Sequence, residues 1–114
     1  MAEPSVRYQT REGVATITLN RPRVLNALDL TLSAQLADAA DAAARGPDVW
    51  VVVVRGAGRA FCSGMDRTVL SAGGIDEAFY RNWIRALNRL EDMDQLVVAV
   101  LHGYSIGGGL QLAS

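Results

Sequence analysis

A chain of 114 residues that is 50% hydrophobic and 20% charged is one compact domain at most, or part of a larger one. Its 11 basic and 12 acidic residues leave a formal charge of −1 with no basic block, which argues against a nucleic-acid footprint or an anionic-membrane surface. The single Cys62 excludes an internal disulfide framework and fits a reducing compartment. Met1-Ala2-Glu3-Pro4 lacks a basic region leading into an apolar stretch, so no secretory signal is expected. The longest apolar run, Val49 to Val54, is too short to cross a bilayer, and a cytoplasmic location is the expectation.

Ser5 to Thr10 and Val14 to Asn20 read as two strands joined by a hairpin turn at Arg11-Glu12-Gly13, with glycine where positive φ is needed. In the second, Ala15, Ile17 and Leu19 alternate with Val14, Thr16 and Thr18 to give one apolar face. Arg21-Pro22 ends it, because proline has no ladder donor. A helix follows from about Thr31 to Ala44, with Leu28, Leu32, Leu36 and Ala40 as its buried stripe and Arg45-Gly46-Pro47 as its stop. The β-branched run Trp50 to Val54 predicts a strand covered on both faces. A second helix, about Asp76 to Asp92, turns Phe79, Trp83, Leu87 and Leu90 inward, and Asp76 can cap it. Leu96 to Leu101 reads as a further buried strand, with a third helix from Gly107. Trp50, Trp83 and Phe79 are expected to fill core. Strands alternating with helices imply an α/β fold with mostly parallel pairing.

Two glycine-bearing loops stand out, Phe61-Cys62-Ser63-Gly64-Met65-Asp66 and Gly103-Tyr104-Ser105-Ile106-Gly107-Gly108-Gly109. Each follows an apolar run and opens toward a helix, where backbone N–H groups have no intrahelical partner. Two such junctions brought together supply two donors to one developing oxyanion, as acyl-transfer and enolate chemistry requires. Gly103 to Gly107 also matches the G-x-S-x-G elbow of α/β-hydrolases, which would make Ser105 a nucleophile. That reading needs an acid and a histidine after the serine, and the nine residues that follow Ser105 include neither. Gly56-Ala57-Gly58 lacks the third glycine of a dinucleotide fingerprint and reads as a turn. Cys62 reads as packing, His102 as a buried hydrogen-bonded side chain, and Asp66 as the cap of a short helix from Arg67 to Ser71. No cluster has metal-ligand spacing, so no metal or other cofactor is expected.

Leu19-Asn20-Arg21-Pro22 with Leu25-Asn26-Ala27-Leu28, then Arg59 to Asp66, then His102 to Gly109, resemble the three consecutive signatures of the crotonase (enoyl-CoA hydratase/isomerase) superfamily. All three stand in the family's order with comparable spacing. The resemblance implies a spiral of ββα units around an acyl-CoA site. Residues 1–114 would form the N-terminal half of that spiral core, truncated before the C-terminal helical part through which family members build trimers or dimers of trimers. It implies that the backbone N–H groups of Met65 and Gly108 form an oxyanion hole for a thioester enolate. It also implies that Met65, Asp66, Arg67, Thr68 and Gly108 contact substrate, and that the loop from Arg21 to Leu25 approaches the nucleotide end of coenzyme A. Acyl-CoA is then substrate rather than cofactor, in the lyase or isomerase chemistry of fatty acid metabolism.

One position departs from the family's pattern. Hydratases of the family carry a catalytic Glu two residues after the glycine triplet, where this chain has Gln111. A carboxamide can orient water by hydrogen bonding but has no useful basicity. The second family Glu would fall past Ser114. The expectation is therefore both oxyanion donors without an identifiable base, with an acyl-CoA-binding remnant as the alternative to an enzyme.

Overall fold

The computed structural model describes residues 3–64 and 76–101. Strands β1 (Val6–Arg11) and β2 (Val14–Leu19) pair antiparallel from Arg11 opposite Val14 to Val6 opposite Leu19. The turn between them places both Glu12 (φ 52°) and Gly13 (φ 84°) in left-handed backbone. That pairing matches the right-handed twist of the flanking strands. After a single 3₁₀ turn at Pro22–Val24 come helix α1 (Leu30–Arg45), strand β3 (Val51–Gly56), helix α2 (Glu77–Asp92) and strand β4 (Leu96–Ala99). The sheet order is β1-β2-β3-β4, and β2, β3 and β4 run parallel. The α/β reading of the sequence holds, with element ends among the described residues shifted by a residue or two; the helices expected over Arg67 to Ser71 and from Gly107 lie outside the described residues.

Register decides which residues share a face. Ala15 lies beside Val52, which lies beside Val97, and Ile17, Val54 and Ala99 form the next row. On this face Ala15, Ile17, Leu19, Val52 and Val54 are buried beneath α1 and α2. Burying each of the larger side chains, Ile17, Leu19, Val52 and Val54, contributes about 1.5–3 kcal/mol, so this layer is a main source of cohesion.

Both helices begin on an aspartate. The Asp29 carboxylate accepts from Leu32 N at 2.8 Å and the Asp76 carboxylate accepts from Phe79 N at 3.0 Å. Each satisfies one of the donors that a helix start leaves open. Buried Ala37, Ala39, Ala40 and Ala43 give α1 a low ridge against which Phe79 and Trp83 of α2 pack. Those two rings stack with centroids 6.5 Å apart. The outer edge of the helix pair is closed by charge: Arg85 reaches Asp38 and Asp41, and Arg89 Nε donates to Asp41 at 2.9 Å. Gln95, just before β4, donates from Nε2 to the Ala43 carbonyl at 3.1 Å, tying the end of α1 to the next strand.

Two expectations from the sequence are corrected. Trp50 is 75% exposed rather than in the core. Its backbone N–H donates to Gly13 O at 2.8 Å, and a Cβ added to Gly13 would lie 3.1 Å from its ring. The indole therefore lies across the hairpin turn, outside the helix layer. Nor are β3 and β4 covered on both faces by the described residues. Val51 and Val53 are half-buried, while Leu96 (65%) and Val98 are exposed. A β-branched run loses both faces to the interior only when a layer lies on each. The described helices lie on one.

Candidate active site

Parallel strands gather their following loops at one end of a sheet, where open α/β folds place ligands. Here the segments after β2 and β3, residues 20–29 and 57–64, meet at that end. Ser63 N donates to Leu25 O at 3.0 Å, and Leu28 N donates to Gly64 O at 2.7 Å. Two segments more than thirty residues apart are thus held as a short two-stranded bridge.

Local sequence explains the shape of the first segment. Pro22 starts the 3₁₀ turn, and Leu25 and Asn26 then both adopt left-handed backbone, each with φ 55°. Asparagine visits that region readily, whereas leucine does so at a cost of about 1–2 kcal/mol. The reversal aims the Leu25 carbonyl at Ser63. Arg21 supports it from outside, its guanidinium donating to Ala27 O and lying 3.5 Å from the Asp29 carboxylate.

Asn26 sits at the centre and is fully buried. Its Oδ1 accepts from Arg21 N at 2.7 Å, while its Nδ2 donates to Ala57 O at 3.0 Å and to Ala60 O at 2.9 Å. One side chain therefore satisfies its own turn and both carbonyls of the opposing loop. Gly56 makes room for it: a Cβ there would lie 2.8 Å from Asn26 Nδ2 and 2.5 Å from the carbonyl oxygens of Ala60 and Phe61. In the sequence Asn26 carried only part of a family resemblance. Its tolerance of positive φ was the available signal of a special turn, but its partners lie more than thirty residues away.

Phe61 and Cys62 pack into the core, and burial pushes the Cys62 thiol above its ordinary value, with a backbone hydrogen bond from Gly64 acting in the opposite direction. The expectation of Cys62 as packing is met. Gly64 (φ 93°) is the last described residue of the loop and requires the backbone freedom of glycine. Met65, Asp66, Arg67, Thr68, His102, Ser105, Gly108 and Gln111 lie outside the described residues. The described geometry thus comprises the platform from which the first glycine loop leaves the sheet. A separate cavity of about 310 Å³, lined in part by Tyr8, Arg11, Gly13, Pro47 and Val49, opens at the opposite end of the strands. Among the described residues no group of three or more His, Cys, Asp or Glu is placed to hold a metal ion, and no helix is long and apolar enough to cross a membrane.

Known proteins are similar to this chain in sequence and in fold. A protein of Mycobacterium tuberculosis named probable enoyl-CoA hydratase is 43% identical over 107 residues, spanning 88% of this chain and 40% of its own length. A peroxisomal Delta(3,5)-Delta(2,4)-dienoyl-CoA isomerase of Arabidopsis thaliana is 33% identical over 121 residues, spanning 94% of this chain and 44% of its own. The crystal structure of an enoyl-CoA hydratase/carnithine racemase from Magnetospirillum magneticum superposes with a TM-score of 0.89 at 32% identity, covering 98% of this chain and 44% of that one. The chain thus spans less than half the length of these relatives. The family model for enoyl-CoA hydratase/isomerase matches residues 9–114, which takes in both clamped loops and strands β2, β3 and β4, and the chain belongs to that family.

Proposed function

We propose that this chain handles acyl-CoA thioesters, stabilising a thioester enolate between the backbone N–H groups of Met65 and Gly108. The observation that carries the reading is the clamp of residues 57–64 onto residues 25–28, which fixes the chain up to Gly64, one residue before Met65. A thioester α-proton is weakly acidic, and its removal needs donors already in place when charge reaches the carbonyl oxygen. Removing one such donor typically costs about 10²–10³ in rate. Backbone N–H groups impose no side-chain chemistry, so methionine serves at position 65. Asp66, Arg67 and Thr68 would border the substrate.

The names of the relatives fit CoA-thioester substrates. Gln111 favours double-bond isomerisation or another acyl-CoA transformation over two-carboxylate hydration, because an amide cannot act as general base. The same residue supports a second reading, a binding remnant that keeps the pocket without the base. Turnover of crotonyl-CoA and of a 3-enoyl-CoA, with CoA binding measured on the same preparation, separates the two. Turnover establishes an enzyme, binding alone establishes the remnant, and neither refutes both.

A further inference from the structure

We infer that Asn26 is a positioning residue for the loop that carries the oxyanion donor. It controls how strongly a bound thioester carbonyl is polarised rather than how tightly the thioester binds. The inference rests on the acyl-thioester reading above. Three observations lead to it. Both Nδ2 protons are used, and both go to carbonyls of one loop, at Ala57 and Ala60. The loop is therefore held at two points by a single rigid amide. Next, Asn26 and its neighbour Leu25 occupy left-handed backbone together. Strain of that kind persists only where surrounding contacts over-determine it, and it concentrates at functional sites. Finally, the side chain is fully buried and its Oδ1 is anchored to Arg21 N at 2.7 Å. The clamp cannot swing with the loop it holds.

The consequence is directional. With residues 57 and 60 fixed and the 63–25 and 64–28 bonds closed, the chain is held on one path as far as Gly64. An oxyanion donor works only within hydrogen-bond distance of the forming charge, so a small change of that path weakens the donor without removing the pocket.

Asn26→Asp is the informative variant, because aspartate also tolerates left-handed backbone and still accepts from Arg21 N. It replaces the Nδ2 donor with an oxygen facing two carbonyl oxygens. Amide hydrogen exchange on the unliganded 114-residue chain reads the loop directly. The expected result is exchange about tenfold or more faster at Ser63 and Leu28, with β2 and β3 amides unchanged. Gly56→Ala, which crowds the same amide from the strand side, is expected to do likewise. Unchanged exchange at Ser63 and Leu28 overturns the inference. So does loosening of the whole sheet in both variants, since Asn26 would then be a determinant of the fold.

Titration with acetoacetyl-CoA reads the chemistry, because its enolate absorbs in the near ultraviolet. In Asn26→Asp the dissociation constant is expected to stay within about threefold while the enolate band falls about tenfold, a loss smaller than deletion of a donor would give. A parallel change in both quantities, or in neither, overturns the inference. Absence of the band in the parent chain would refute the acyl-thioester reading itself, and the exchange data would still decide whether Asn26 holds the loop.

Discussion

Gly56 shows how a single residue can decide whether a loop closes. A methyl group there would lie 2.5 Å from the carbonyl oxygens of Ala60 and Phe61 and 2.8 Å from the Asn26 amide, which is itself hydrogen-bonded to Ala60 O. Gly56→Ala is expected to destabilise the chain by about 1–3 kcal/mol, the usual cost of overpacking, as measured by urea unfolding. Cys62 supplies a pH test. Burial raises its thiol above the ordinary 9.0, so folding favours the protonated form. That contribution is complete below the unfolded thiol's pKa and is lost as pH rises from there through the folded value. Unfolding free energy should therefore fall above about pH 9, and Cys62→Ser should flatten part of that slope, Tyr8 contributing in the same direction. At this scale the sequence was legible where chemistry is local. Gly13 announced its turn and Cys62 its burial. Asn26 did not announce its clamp, because nothing near position 26 encodes the carbonyls of Ala57 and Ala60.

Elements were more legible than their surroundings. Asp76 caps α2 as its position before an amphipathic run predicts, and the structure adds a second cap, Asp29 on α1, beyond the one expected from sequence. The two caps are not equivalent. Asp29 also pairs with Arg21 at 3.5 Å, both side chains about four-fifths buried, and Arg21 in turn supports the 25–28 turn through Ala27 O. Asp76→Ala is expected to cost about 1 kcal/mol, typical of a lost N-cap. Asp29→Ala should cost more and should also speed amide exchange at Leu28. Equal losses, with Leu28 unaffected, would mean that Arg21 holds the turn without its carboxylate. Trp50 marks the limit of pattern reading. It opens a run of valines that reads as one continuous buried strand, yet β3 begins at Val51 and the indole lies over the hairpin. Periodicity finds a strand; which face receives a second layer depends on parts of the fold that a local pattern does not contain.

Across the whole molecule that second face becomes a measurable property. Val51, Val53, Leu96 and Val98 share adjacent register positions opposite the helix layer, and Leu96 and Val98 are exposed. An apolar strip of this kind binds hydrophobic dyes in a native protein. Anilinonaphthalene sulfonate fluorescence is expected to rise with the folded chain and to fall in Leu96→Lys/Val98→Lys, with helix content unchanged by circular dichroism. The fold class, its parallel strands and the family were all legible from three ordered motifs and the alternation of elements. The oxyanion pair proposed above rests on the family resemblance, because backbone donors leave no side-chain signature in a sequence. The most direct test of that pair is titration of the 114-residue chain with acetoacetyl-CoA, following near-ultraviolet absorbance. Saturable binding with growth of an enolate band is the predicted result. Binding with no enolate band, or no binding at all, would contradict it.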